Sequence, residues 1–337
     1  MAQPSHPGIL HQYAPRLVAF EFTSQNTSKP KPHSLLFIGG LSDGLFTVPY
    51  VSTLAKSLES TDWSVFWLLL SSSYSGWGTG SLDKDGEEIA QCVRFVRGYK
   101  TSQCGAGAKV VIMGHSTGSQ DVLHYLHSPN PFLHDPKFEK GLQHLTRPQV
   151  DGAIMQAPVS DREAVLNTVR GNNEAKGAYD QLVDYATRQP FTSGKTETIL
   201  QPHLVKMVGL ADDVPISSRR FLSLVSPESP EKPAEDDLFS SDLMDQRLRE
   251  TFGAVGDRGL LRSSLLVLYS GSDDFAPAWI DKEHLMRRWE NATNEGGKNR
   301  WNANSGVIPG ASHNVKDQGQ DDLVARVTRY LDDVLKA

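Results

Sequence analysis

A mostly parallel α/β sheet flanked by helices is the fold class that the sequence predicts, and three observations predict it. Short apolar or β-branched runs recur along the 337 residues. Segments of helical periodicity alternate with them, and no internal repeat offers a competing arrangement. Strands joined through helices imply right-handed crossovers and parallel neighbours.

Taken in order, strands are expected at residues 17–22 and 34–38, the second ending in Gly39-Gly40. A helix at 49–58 carries Pro49 in its first turn, where a missing N–H costs nothing. The apolar strand 64–70 leads into the polar, glycine-punctuated stretch 71–80. Residues 85–98 read as an amphipathic helix through Ile89, Val93 and Val96. The run Val110-Val111-Ile112 is the next strand, and Val122, Leu123, Tyr125 and Leu126 follow it at helical spacing. A strand at 150–155 comes after.

From residue 160 to 258 the alternation lapses. Helical pieces at 162–169 and 179–187 give way to a segment at 226–237 with three prolines and an acidic excess, expected as a mobile loop. The sheet resumes at 264–269, with a helix at 281–291 and a short strand ending at Ile308. A last helix at 320–335 places Leu323, Val327, Tyr330, Leu331 and Val334 on one face. The expected organisation is a core of residues 1–159 and 259–337, with a mainly helical lid inserted at 160–258.

Thirty-four basic against 40 acidic residues give a net charge of −6, which leaves no electrostatic footprint for nucleic acid or an anionic membrane. The apolar run 65–70 is far too short to span a bilayer. The start, Met-Ala-Gln-Pro-Ser-His-Pro, lacks a basic residue followed by an apolar stretch, so no secretion signal is expected. Two cysteines, Cys92 and Cys104, argue against a disulfide framework and fit a reducing compartment, so a cytoplasmic location is expected.

The chemistry is carried by Gly114-His115-Ser116-Thr117-Gly118, directly after the 110–112 strand. A strand that turns sharply into a helix lifts one hydroxyl to the top of a sheet, and glycines on either side let the chain segments pass without a Cβ clash. A serine hydroxyl is a poor nucleophile until a base takes its proton, and the base must be oriented by a third group. Both partners follow in chain order. Ser270-Gly271-Ser272-Asp273-Asp274 ends one strand with a carboxylate turn, and Ile308-Pro309-Gly310-Ala311-Ser312-His313 puts an imidazole on the loop before the last helix. Asp274, three residues after Gly271, is the expected acid. Adjacent side chains point apart, so either Asp274 or Asp273 faces His313, not both; Asp161, after the preceding strand, is a third candidate.

An oxyanion needs two N–H donors. One is expected from Thr117, the residue after the nucleophile. The other is expected from Leu41, in Gly39-Gly40-Leu41-Ser42-Asp43-Gly44, where glycines such as Gly40 let the backbone approach a ligand. Tyr74 and Trp77 lie on the loop after a strand's carboxyl end, where they either line a pocket or pack that loop onto the core. His124 and His127 read as solvated helix residues. No ligand spacing supports zinc, so no metal is expected.

With these motifs assembled, the chain resembles the fungal siderophore-esterase family of α/β-hydrolases. The resemblance runs nearly end to end and rests on five stretches: 37–44, 73–78 (Ser-Tyr-Ser-Gly-Trp-Gly), 114–121 (Gly-His-Ser-Thr-Gly-Ser-Gln-Asp), 237–243 (Asp-Leu-Phe-Ser-Ser-Asp-Leu) and 310–314 (Gly-Ala-Ser-His-Asn). It implies the α/β-hydrolase fold, with Ser116, Asp274 and His313 as the triad. It also implies a small-molecule ester as partner, a cyclic fusarinine-type hydroxamate siderophore, cleaved inside the cell without a cofactor. Any iron would arrive with the substrate. A general carboxylesterase or lactonase acting on another secondary metabolite is the alternative, and a non-catalytic ligand-binding protein on the same fold is a third.

Overall fold

The structure, a computed structural model, describes residues 5–24, 29–131, 146–189 and 197–337. Its centre is an eight-stranded sheet. The strands are β1 (Gly8–Ala14), β2 (Leu17–Phe22), β3 (His33–Ile38), β4 (Trp63–Leu68), β5 (Val110–His115), β6 (Gly152–Gln156), β7 (Leu265–Ser270) and β8 (Gly306–Ile308), in the spatial order β1-β2-β4-β3-β5-β6-β7-β8. β1 and β2 pair antiparallel, as do β2 and β4. All pairs from β4 to β8 are parallel. β1, which the sequence reading missed, turns into β2 through Pro15 and Arg16, the latter at φ 67° as the third position of a tight turn requires.

The helices are α1 (Tyr50–Ser57), α2 (Leu82–Cys104), α3 (Thr117–His127), α4 (Asp161–Val169), α5 (Asn173–Thr187), α6 (Pro202–Met207), α7 (Ser218–Val225), α8 (Asp245–Glu250), α9 (Lys282–Asn294) and α10 (Gln320–Lys336). Strand residues alternate between two apolar layers. Leu36, Ile38, Val110 and Ile112 join α2, α3 and α9 on one face, while Leu35, Phe37, Val111 and Met113 join α1 and α10 on the other. Both faces are covered, which is why β3, β4 and β5 read as continuous apolar runs.

Among the described residues five helices, α4 to α8, lie between β6 and β7. Those from α4 to α7 gather around a third apolar cluster with Trp77, Val165, Leu182, Val205 and Phe221. Leu238, Phe239, Leu248 and Phe252 instead pack into the main core. The segment 226–237, expected to be mobile, is tied down: Ser226 Oγ meets Ser229 Oγ at 2.7 Å and accepts from Ala234 N at 2.8 Å. Arg220 Nη1 pairs with Asp236 Oδ1 at 2.5 Å, both side chains being buried. Proline and acidic content report solvation in an extended chain, and the buried arginine that receives the acid lies outside the segment.

Because β3 and β5 to β8 are parallel, their carboxyl ends share one edge of the sheet. The order reverses between β3 and β5, since β4 lies on the far side of β3. Ligand crevices form at such switch points. The β3–β5 register sets Ile38 opposite Gly114, so Gly39 and Gly40 emerge beside the turn that carries Ser116.

That turn has no room for a methyl group. A Cβ at Gly114 would stand 2.0 Å from the Gly118 carbonyl oxygen. Gly114→Ala is therefore expected to destabilise the fold by about 2–3 kcal/mol. Gly98, exposed in the middle of α2 with nothing within 4 Å of an added Cβ, gives the opposite sign: Gly98→Ala is expected to stabilise by about 0.5–1 kcal/mol. Denaturant midpoints of the two variants check the pair.

Candidate active site

Ser116 caps α3 with φ 54° and ψ −123°, a conformation that L-residues adopt only when their surroundings enforce it. Three constraints enforce it here. Its N–H extends the β5–β6 ladder by one bond, to Gln156 O at 2.9 Å. Its own carbonyl already accepts from Ser119 N at 2.8 Å, the first bond of the helix. Gly114 and Gly118 allow the turn to close, a Cβ at Gly118 falling 2.5 Å from Ile38 O. The hydroxyl stands against the loop after β3, where a Cβ on Gly40 would lie 3.2 Å from Ser116 Oγ.

The acid partner differs from the expectation. His313 Nδ1 lies 2.8 Å from Asp273 Oδ2 and 3.0 Å from Oδ1, with the Asp273 side chain fully buried. Asp274 is exposed. The reason is the pairing beyond β7. Gly271 N donates to Ile308 O at 2.9 Å and Ser272 N to Ala311 O at 2.8 Å, so the two loops run side by side for two residues beyond the end of β7. The next residue, Asp273, then meets His313. Asp273 also accepts from Phe275 N at 3.0 Å, so the side chain that closes the turn is the one that holds the imidazole. Asp161 serves elsewhere: it accepts from Gln120 Nε2 at 2.9 Å, and burial pushes its carboxyl up to about 6.

His313 is brought to the elbow through its neighbours. Its ring centroid is 4.9 Å from that of His115, and Gln156 Nε2, which donates to Ser270 Oγ at 3.0 Å, also reaches the His313 carbonyl at 3.4 Å. The Phe275 ring, more than half exposed, stands edge-on to His313 at 4.7 Å and covers it. His115 is fully enclosed, its nitrogens 2.5 Å from Gln156 Oε1 and 3.0 Å from Asn314 Oδ1. Burial, then the nearby His313 charge, pushes its imidazole down to about 4, so it stays neutral beside His313.

The remaining expected residues are placed as follows. Thr117 is the first residue of α3, so its N–H has no carbonyl one turn back to bond. Leu41 is half-buried on the loop after β3. Gly40 gives its N–H to Asp43 Oδ2 at 2.7 Å. Tyr74 is half exposed, and its hydroxyl accepts from Leu45 N at 3.0 Å. Trp77 is buried, with its indole N–H donating to Ser42 Oγ at 2.9 Å, so it braces the loop after β3 rather than lining open space.

His124 is not solvated as expected. It is buried, with Nε2 2.7 Å from Asp83 Oδ1 and 3.6 Å from Glu235 Oε1, and it ties the segment after α7 to α2 and α3. These three groups converge within 4.8 Å of one another, which spacing along the chain did not suggest. A cavity of about 590 Å³, lined by Glu21, Lys31, Lys56, Trp63 and Lys100 among others, opens at the amino ends of the parallel strands, opposite the Ser116 edge.

The neutral state of His115 has a sign that can be tested. Its folded value is depressed from 6.5 to about 4, so between those limits the unfolded chain binds the proton and the folded chain does not. Its contribution is full above pH 6.5 and is lost as pH falls toward 4. Asp85, pushed up to about 7 by burial, and Asp161 act in the opposite direction in both proteins. Unfolding free energies at pH 7, 5.5 and 4.5 should therefore fall less steeply in His115→Asn than in the unsubstituted protein.

The chain is 48% identical to "Fusarinine C esterase sidJ" of Aspergillus fumigatus, over 98% of this chain and 97% of that one. It is 47% identical to "Esterase AN6793" of Emericella nidulans, over 97% of this chain and 93% of that one. Among solved structures, the siderophore hydrolase EstB from Aspergillus fumigatus superposes with a TM-score of 0.86 at 46% identity, covering 100% of both chains. An α/β hydrolase fold protein of unknown function, at 13% identity and a TM-score of 0.53, shares the fold over 99% of this chain and 97% of its own. Residues 1–332 match a family described as "Protein of unknown function (DUF1749)", and the chain belongs to that family, on the α/β-hydrolase fold.

Proposed function

We propose that this chain is a serine esterase that hydrolyses the ester bonds of fusarinine-type hydroxamate siderophores inside the cell and thereby frees their iron. The observation that carries the esterase reading is the contact of both Asp273 oxygens with His313 Nδ1, at the sheet edge where Ser116 is held at positive φ. The substrate class is supported by the two close relatives named as a fusarinine C esterase and a siderophore hydrolase.

In this reading Ser116 Oγ attacks the ester carbonyl while His313 Nε2 takes its proton. Asp273 holds Nδ1–H, fixes the tautomer and stabilises the imidazolium. The N–H groups of Thr117 and Leu41 receive the oxyanion. The alcohol leaves with the proton from His313, and an acyl-enzyme remains on Ser116. Water, deprotonated by the same imidazole, then releases the acid. None of these steps calls for a metal, and iron travels with the substrate. The helices α4 to α7, packed on Trp77 through their own apolar cluster, act as the lid over the crevice.

Ser116→Ala is expected to fold normally and to lose turnover of fusarinine C, triacetylfusarinine C and nitrophenyl esters alike. Mass spectrometry of the products checks it, and retained turnover above a few per cent rules out Ser116. Cleavage of nitrophenyl esters with both siderophores left intact keeps the esterase and rejects the substrate class. Asp273→Asn is expected to lower kcat by about 10⁴-fold, as a lost orienting carboxylate does elsewhere, while Asp274→Asn leaves it nearly unchanged. The reverse order assigns the acid to Asp274.

A further inference from the structure

The loop after β3 is closed by one side chain. Asp43 Oδ2 accepts from Gly40 N at 2.7 Å, Asp43 N donates to Gly40 O at 3.1 Å, and Oδ1 accepts from Thr47 Oγ1 at 2.7 Å. The Asp43 carbonyl accepts from Tyr74 N at 2.8 Å. These bonds leave Leu41 and Ser42 at the tip, with Ser42 at φ 65° and its hydroxyl held by Trp77.

We propose that Asp43 is a positioning residue for the oxyanion site: by clamping Gly40 it sets the orientation of the Leu41 N–H. The inference rests on the esterase reading above. A trans peptide is planar, so the Gly40 carbonyl and the Leu41 N–H point to opposite sides of one plate. With that carbonyl bonded to Asp43 N, the Leu41 N–H is turned the other way. Gly40 is the residue at which the plate could most readily rotate, because glycine tolerates backbone conformations that other residues avoid. It cannot be replaced by a stiffer residue, since a Cβ there would stand 2.7 Å from Ser116 Cβ. Proximity to the nucleophile demands glycine, and glycine demands a clamp. Without the Asp43 carboxylate the Gly40 N–H loses its acceptor, and only the backbone bond from Asp43 N is left to keep the plate from flipping and presenting a carbonyl oxygen where negative charge develops.

A second feature fits the same role. Asp43 Oδ2 lies 4.0 Å from His115 Nε2, and the neutral state of that ring leaves the carboxylate to its two donors on the loop. Asp43 touches no reacting atom, so its effect belongs to the transition state and not to substrate binding.

The test is steady-state hydrolysis of p-nitrophenyl acetate, with phenylboronic acid as inhibitor. In that complex a Ser116 Oγ–B bond forms, the Ser116 proton passes to His313, and the anionic tetrahedral boron places a hydroxyl in the oxyanion site. Asp43→Ala is expected to lower kcat by about 10²-fold, the loss typical of a missing oxyanion donor. Its KM should stay within roughly threefold, the signature of an interaction made only in the transition state. Inhibition by phenylboronic acid should weaken in parallel with kcat, and the thermal midpoint should shift by only a few degrees. Asp43→Asn, whose amide oxygen still accepts from Gly40 N, should recover at least about tenfold of the loss. If Asp43→Ala does not fold, Asp43→Asn against Asp43→Glu carries the test, because the extra methylene of Glu prevents closure of the three-residue loop. Equal kcat for Asn and Ala (or Asn and Glu), a loss confined to KM, or boronate affinity unchanged while kcat falls would each overturn the proposal. Absence of ester hydrolysis by the unsubstituted protein, or its persistence in Ser116→Ala, would instead overturn the esterase reading itself.

Discussion

One residue held in an unfavourable backbone conformation sets the terms for the rest of this molecule. Ser116 at φ 54° persists because a ladder bond to Gln156 fixes it from one side and the first turn of α3 from the other. Such strain costs on the order of 1–3 kcal/mol and survives only where the surroundings over-determine it. The glycines at 114 and 118 follow from that geometry, as does the glycine at 40, whose Cα faces the serine. The parallel register then delivers everything else to the same edge, with β3 contributing the loop with Gly40 and Leu41, β7 the carboxylate and β8 the imidazole.

Much of this was legible in the sequence, because the signals are local. A β-branched run followed by glycines around a serine specifies a strand, a tight turn and a helix in a dozen residues. The histidine loop before an amphipathic last helix is equally self-contained. The choice between Asp273 and Asp274 was not local. It depended on Gly271 and Ser272 continuing to bond the chain after β8, a contact between segments some 40 residues apart that leaves no periodic trace. β1 was hidden because Gly8–Ala14 shows no clean alternation and owes its state to pairing with β2. The short helices α6, α7 and α8 span six to eight residues, too few for a period of 3.6 to declare itself.

The segment between β6 and β7 shows a different gap between composition and structure. Its acidic residues look like solvated loop, yet Asp236 is buried against Arg220, whose Nε also donates to Trp77 O at 3.1 Å. Gln120, on the helix that follows Ser116, donates to Asp236 O at 2.7 Å as well as to Asp161. Charges taken out of water this way are stable only when nearly every donor and acceptor is met. The network therefore registers α7 and the 226–237 segment against α3, and breaking one member would leave a buried charge behind. Trp77 belongs to the same frame: its carbonyl receives Arg220 while its indole holds Ser42, which connects the inserted helices to the loop beside Ser116.

In the proposed mechanism folding alone makes the Ser116 oxygen reactive, because the Asp273–His313 pair takes its proton. Treatment of the folded protein with a fluorophosphonate, followed by peptide-resolved mass spectrometry, tests this most directly. One adduct is expected, on Ser116, absent from urea-unfolded protein and from a His313→Ala variant. An adduct that forms on Ser116 at the same rate without His313, or on a different residue, would contradict it.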